Sequence, residues 1–468
     1  MKNKIYKTTL FFIAILVFSF LSSQVIGQDT ELLKAIENLK SQGYGITSIE
    51  KLAIDSTMEK PFSEKYCINF EQPIDHNNPN IGKFKQRVII GFAGFERPSE
   101  VVTEGYGAKY AFNPKYRDEP SRLFNTNMVF VEHRYFIGSV PFRQEDTTIT
   151  DEQLNWEYMN AEQAAGDLHN IVSAFKKIFP GKWIASGISK GGQTTMFYRA
   201  FYPNDVDISI PYVGPLCKGV EDGRHEPFIA SFAGTPQERE IIKNYQIELL
   251  KRRKTIEPIL EEYNKNNNLK YKIPLSEIYD YCVLEFPFAL WQWGTNISII
   301  PDLKKATDEE LFNTLLKVSG PDYFSEGKDS SPFFVQAAKE LGYYGYDTKP
   351  FKDLLSIKSS KNYLHHIFLP QSQEKNIKFD KYLYKKTAKF LKKTKEAKML
   401  FIYGEYDPWS AVMPVAPVKN EKLKKRGKGR ENIVLFIDPK GSHRARISTL
   451  PDADKEKAIS IINKWLEE

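Results

Sequence analysis

Apolar and polar positions along the first third of the chain alternate in ways that predict strands. Lys65 to Phe70 alternates with a period of two, QPIDHNNPNIGK is crowded with turn residues, and Phe84 to Phe92 turns apolar again. Two such runs across an Asn/Pro/Gly segment predict an antiparallel hairpin. Pro98 to Thr103 predicts a third strand, running into Glu104-Gly105-Tyr106-Gly107. Asn127 to Glu132 (NMVFVE) predicts a fourth, apolar enough to be buried. Upstream, Gln28 to Ser63 is polar, with helical spacing over Glu31 to Lys40. Between Asn160 and Phe179 the period becomes helical, with Ala164, Leu168, Ile171, Val172 and Phe175 on one side until Pro180-Gly181 ends it. Lys182 to Ser186 is short and β-prone, Gly192 to Tyr202 is helical up to Pro203, and Asp207 to Val213 is again a strand.

The pattern changes from Cys217 to Lys395. Helical spacing dominates, as in Pro236 to Asn264 and Ser276 to Trp293, and aromatic residues gather around Phe286, Trp291, Phe333 and Tyr344. Strands return at Lys398 to Tyr403 (KMLFIY) and Asn432 to Asp438 (NIVLFID), before a closing amphipathic helix over Ala453 to Leu466. The expected organisation is an α/β core in two pieces, residues 28–216 and 396–468, with a helical cap inserted over residues 217–395.

The chemistry starts at Gly187-Ile188-Ser189-Lys190-Gly191, which fits G-x-S-x-G between a predicted strand and a predicted helix. A bare match arises by chance in roughly one chain in seven of this length, so the strand–turn–helix context carries the reading. In that context the serine tips a sharp elbow, and glycines two residues to either side avoid collision with neighbouring backbone. Two further strand ends supply what a serine nucleophile needs. Asp407 follows KMLFIY within GEYDPW, and His443 follows NIVLFID within GSH. An imidazole takes the serine proton and a carboxylate fixes the imidazole tautomer. The order Ser, Asp, His is that of α/β-hydrolases. The remaining histidines, His76, His133, His169, His225, His365 and His366, follow no such strand end and are expected in structural roles. An oxyanion would be met by the amide of Lys190 and, from the glycine-rich loop after the third strand, the amide of Tyr106.

Composition adjusts this picture at the ends. Lys2, Lys4 and Lys7 precede the apolar run Leu10 to Leu21, and Val25 and Gly27 are small residues placed for cleavage before Gln28. Residues 1–27 therefore read as a signal peptide, giving a secreted or periplasmic protein without stable membrane insertion; an uncleaved anchor is the alternative. Without its three leader lysines the chain keeps 63 basic and 59 acidic residues, a net charge of +4. That is too mild for a nucleic-acid partner. The one strongly basic run, Lys422 to Arg430, is expected to be a solvated loop. Cys67, Cys217 and Cys282 allow at most one disulfide, and no Cys/His spacing suggests a metal. No cofactor is called for.

Several segments together resemble one family. QPIDHNNP (72–79), TEGYG (103–107), VEHRYF (131–136), EQAAGD (162–167), SGISKGGQT (186–194), EFPFALWQ (285–292), GEYDPW (404–409) and GSH (441–443) span most of the mature chain. They are similar to the secreted prolyl tri- and tetrapeptidyl aminopeptidases, serine peptidases distantly related to prolyl carboxypeptidase and dipeptidyl peptidase II. The resemblance implies an α/β-hydrolase core, a helical cap and the release of short peptides from free N-termini, often after proline. Such an activity needs a carboxylate for the substrate ammonium and apolar walls for a proline ring. Glu285, or else Glu221, Asp222 or Glu226, can supply the first, and Trp291 and Trp409 the second. Two competing readings are an esterase with the same triad and a non-catalytic binding protein on the same scaffold.

Overall fold

A computed structural model describes residues 30–144, 146–327, 331–415 and 431–468. The expected leader and the basic run Lys422 to Arg430 lie outside them. The chain divides into two compact units, residues 1–44 and Gly45–Glu468. In the first, helix α1 (Glu31–Ser41) is capped by Thr30, whose hydroxyl accepts from the Leu33 amide at 3.3 Å.

The second unit is built on a nine-stranded sheet: β1 (Ile46–Lys51), β2 (Glu64–Pro73), β3 (Lys83–Phe92), β4 (Ser99–Thr103), β5 (Asn127–Val131), β6 (Trp183–Ile188), β7 (Ile208–Tyr212), β8 (Lys398–Gly404) and β9 (Ile433–Asp438). The spatial order is β1-β2-β3-β5-β4-β6-β7-β8-β9. The predicted hairpin is β2–β3, in a register that places Cys67 opposite Ile89. From β5 through β4 to β9 the strands run parallel, and β4 lies between β5 and β6. Strand β1 escaped the sequence reading because it is a sheet edge. In ITSIEK only Ile46 is buried, so little apolar alternation announces it.

Helix α2 (Ala161–Phe175) packs on this sheet, opened by Asn160, whose side chain accepts from the Gln163 amide at 2.9 Å. Helix α3 (Lys190–Phe201) follows β6, and α9 (Asp452–Glu467) closes the chain. Between β7 and β8 no strand occurs among the described residues. That stretch holds α4 (Pro236–Lys251), α5 (Arg253–Asn266), α6 (Leu275–Trp293), α7 (Asp308–Ser319) and α8 (Tyr382–Lys393), with shorter helical turns between them. Thr235 and Thr307 begin α4 and α7 with reciprocal capping boxes. The apolar stretch of α6 is fully internal and packs into a large aromatic core with α4 and α7. No helix among the described residues is long and apolar enough to cross a membrane.

Two of the segments that carry the resemblance, VEHRYF and EQAAGD, form polar struts of the core. Arg134 and Asp167, both almost fully buried, meet side-on through Nε–Oδ2 and Nη2–Oδ1 pairs of 2.7 Å each. The three remaining guanidinium hydrogens go to the carbonyls of Ile74, Tyr158 and Pro73, and His76 reaches Asp167 Oδ1 at 2.8 Å. Beside them Glu132, buried at the end of β5, receives Arg87 through two bonds of 2.9 and 2.6 Å and the Ala108 amide at 2.7 Å. Removing one partner of such a pair strands a charge in low dielectric. Arg134→Met should therefore lower the unfolding free energy by about 3–5 kcal/mol, read as an earlier urea midpoint; an unchanged midpoint would show that the pair carries no stability.

Candidate active site

The parallel strands present their C-terminal ends at one edge of the sheet, where β4, β6, β8 and β9 each release a loop carrying a candidate residue. Ser189 joins β6 to α3 with φ 59° and ψ −117°, left-handed and strained for a residue with a Cβ. Its amide is held by the Tyr212 carbonyl at 3.0 Å. A side chain at Gly187 would fall onto the Gly191 carbonyl, and one at Gly105 would sit 2.7 Å from the Gly191 amide. The elbow can therefore pack against the loop after β4 only with glycine at these places.

Asp407 is fully buried and divides its carboxylate. Oδ1 accepts from the Trp409 amide at 3.1 Å, opening a short helical turn, while Oδ2 meets His443 Nδ1 at 2.7 Å. His443 Nε2 is buried with no hydrogen-bond partner among the described residues. It lines, together with Ser189, a cavity of about 860 Å³. A hydrogen bond from Nδ1–H to the aspartate leaves Nε2 as the free base.

The loop after β4 differs from expectation. The amide of Tyr106, expected to face an oxyanion, donates instead to Glu104 Oε1 at 3.0 Å, because that carboxylate folds back over its own turn. The Tyr106 side chain lines the same cavity as Ser189, and burial pushes the pKa of its phenol up, so it stays protonated. Lys190 begins α3, so its amide has no intrahelical acceptor. Its side chain is buried, with Nζ 5.2 Å from the Phe136 ring and 5.8 Å from the Tyr106 ring, and burial lowers its pKa to about 7.

Much of the rest of the cavity lining is aromatic. Glu285 lines it, 5% exposed, and accepts from the Tyr344 hydroxyl at 3.0 Å and the Tyr346 hydroxyl at 2.7 Å. Burial raises its pKa to about 8, against the opposing pull of the two phenols. Of the other carboxylates considered, Asp222 is taken by Arg224 and Glu221 by the Asn362 amide. Glu226 lies on a separate cavity of about 480 Å³. Trp409 does line the main cavity, edge-on to Phe288 at 5.4 Å. Trp291 does not: it packs on Tyr406 at 5.6 Å and lines the second cavity. The helical period explains the difference, since Glu285, Ala289 and Gln292 share one face of α6 and Trp291 falls on another. Sequence reasoning missed the tyrosines around Glu285. Their only signal was the cluster Tyr343-Tyr344-Gly345-Tyr346, about 60 positions downstream.

The three cysteines are free and buried, so no disulfide links them.

The profile of PS-10 peptidase S37 matches residues 45–467. The chain belongs to the S37 peptidase family. A prolyl tri/tetrapeptidyl aminopeptidase of Streptomyces mobaraensis is 29% identical over 419 residues, covering 87% of this chain and 81% of its own. The lysosomal Pro-X carboxypeptidase of Mus musculus is 28% identical over 214 residues, 43% of this chain and 41% of that one. Among solved structures, VinJ aligns with a TM-score of 0.38 and 11% identity, over 85% of this chain and 98% of that one. This S37 peptidase is thus a serine peptidase with an α/β-hydrolase core and a largely helical cap.

The raised pKa of Glu285 has a measurable consequence. Its folded form keeps a proton that the unfolded chain loses near the usual carboxylate range, so its contribution to stability falls as pH rises from about 4.5 to about 8. Glu285→Gln removes that titration. Its melting temperature relative to wild type should rise between pH 5 and pH 8.5; a pH-independent difference would mean that Glu285 is ionised throughout.

Proposed function

We propose that this S37 peptidase is an exported exopeptidase. It releases tri- or tetrapeptides from free N-termini, favours proline at the cleaved bond, and works through an acyl-enzyme on Ser189. The observation that carries the reading is one cavity that brings together the strained serine, the Asp407-bound His443 and a buried carboxylate in an aromatic cage.

Ser189 Oγ attacks the scissile carbonyl while His443 Nε2 takes its proton, and Asp407 holds the imidazole in the tautomer with Nε2 free. The amide of Lys190 and the hydroxyl of Tyr106 donate to the oxyanion. His443 then protonates the departing amine, and water releases the acyl peptide by the same path in reverse. At the other end the substrate ammonium pairs with Glu285 as this carboxyl gives up its proton, a charge-assisted contact between phenols. The rings of Tyr106, Phe333 and Trp409 offer the apolar walls a proline needs. The name of the Streptomyces relative supports the peptide length and the proline preference. Residues 1–27 support export, which N-terminal sequencing of the mature protein, expected to begin at Gln28, would check.

A fluorophosphonate probe should label wild-type protein and leave Ser189→Ala unlabelled; an active, labelled Ser189→Ala would remove the serine from the mechanism. His443→Ala and Asp407→Asn should each lower kcat by several orders of magnitude, and their combination should cost little more than His443→Ala alone, since triad members act as a unit. Strictly additive losses would separate the two residues.

Acetylating a peptide's N-terminus should lower kcat/KM at least about tenfold, the equivalent of about 1.4 kcal/mol. Equal turnover of free and blocked peptides would instead mark an endopeptidase. Turnover of p-nitrophenyl esters without any peptide hydrolysis would mark an esterase.

A further inference from the structure

The side of the cavity from which the cleaved amine departs is built from its own set of residues. His443 Nε2 hands its proton to that amine, so the leaving peptide runs out past the His443 ring. Trp293, on the cavity wall, stands edge-on to this ring with 6.4 Å between centroids. Its neighbours fix it there. The Gln292 carbonyl accepts from the His443 amide at 2.9 Å, and Gly294 closes on Ser442, where an added Cβ would lie 3.1 Å from the serine side chain. The Arg444 guanidinium in turn lies 6.0 Å from the centre of the Trp293 ring. Arg122 reaches the same cavity from the short helix Glu119–Phe124. One turn before it, Glu119 pins that helix to the His443 loop by accepting from the Ile447 and Ser448 amides at 2.9 and 3.0 Å.

The charged groups here differ in what they already hold. Glu104, Asp118 and Glu119 all line the cavity, and each carboxylate has donors within the protein. Glu104 accepts from the Tyr106 amide and the Tyr110 hydroxyl, Asp118 from the Tyr116 hydroxyl, and Glu119 from the two amides of the His443 loop. Arg446 is taken by the carbonyls of His443 and Ala445. Arg122 and Arg444 are exposed, and neither has a side-chain hydrogen bond or an ion pair among the described residues. Two uncommitted guanidinium groups therefore border the leaving side, and their planar forks match a carboxylate at two points.

We propose that Arg444, assisted by Arg122, binds a carboxylate of the leaving peptide, either its free C-terminus or the side chain of an aspartate or glutamate. The assignment rests on the reading of His443 as the group that protonates the departing amine. Two steps of 6.4 and 6.0 Å lead from the imidazole to the guanidinium. An extended chain advancing about 3.3 Å per residue covers them within about four residues. The carboxylate therefore belongs close behind the cut, and Trp293 offers the intervening residues an aromatic surface. Peptides with an anionic leaving segment are the preferred substrates, and amidated or basic ones are poorer.

The test compares peptides that share one acyl part and differ only past the cut. One series ends in a free acid, its twin in a C-terminal amide, and a third is amidated but carries a glutamate in the leaving segment. Wild-type kcat/KM should be at least about fivefold higher for the free acid or the glutamate peptide than for the plain amide, mostly through KM, and high salt should shrink the ratio. Whichever anionic series is favoured identifies the source of the carboxylate. Arg122→Gln with Arg444→Gln should abolish the preference. Damage to the fold would slow all the series together and leave their ratio standing, so the ratio reports the contact. Arg444→Glu should reverse it, favouring amidated peptides with a lysine in the leaving segment. Equal turnover of all the series by wild type, or a ratio that survives the double substitution, overturns the subsite. The underlying reading fails separately: His443→Ala with wild-type turnover would take away the proton donor, and with it the side from which a leaving peptide departs.

Discussion

Everything in the proposed chemistry depends on one backbone constraint, the left-handed turn at Ser189. A side chain held at φ 59° costs about 1–3 kcal/mol, and the turn persists only because its surroundings over-determine it. The Tyr212 carbonyl at the end of β7 holds the serine amide, and the loop after β4 presses on α3 through a contact only glycine permits. The parallel order of the sheet then brings the loops after β8 and β9 to the same edge.

Around this strained point the protein invests in polar struts. Arg134–Asp167 is a buried pair and Arg87–Glu132 a half-buried one, both with most hydrogen-bonding capacity used. They tie the hairpin, β5 and α2 into one body, so the loop carrying Tyr106 has a fixed base, with the Ala108 amide bound directly to Glu132. Segments such as EHRYF and EQAAGD look chemical because they are rich in charged residues. Their work is structural.

What could be read from the chain follows from the range of each interaction. Strands β2 to β9 and the helices flanking the elbow announce themselves through local periodicity, and the serine, aspartate and histidine through their places at strand ends. Contacts between distant positions leave no such trace. Nothing local to Glu285 says that two phenols some 60 residues away will cage it. The Tyr106 amide was misassigned because a carboxylate two residues earlier can turn back onto it, a choice made by burial and invisible in TEGYG. Trp291 illustrates the converse, since a helical wheel drawn from Glu285 already places it off the cavity face.

The cap meets the core at the loops that carry Asp407 and His443. Phe288 lies against Trp409, Trp291 against Tyr406, and the Gln292 carbonyl holds the His443 amide. A hinged lid over the site would have to give up all three and drag the aspartate and histidine loops apart as it rose. Opening and catalytic competence are therefore mutually exclusive along that coordinate. Trp293, 49% exposed and edge-on to His443, is the exposed end of the α6 lining. An enzyme built this way keeps its site assembled only while the cap stays seated on these loops.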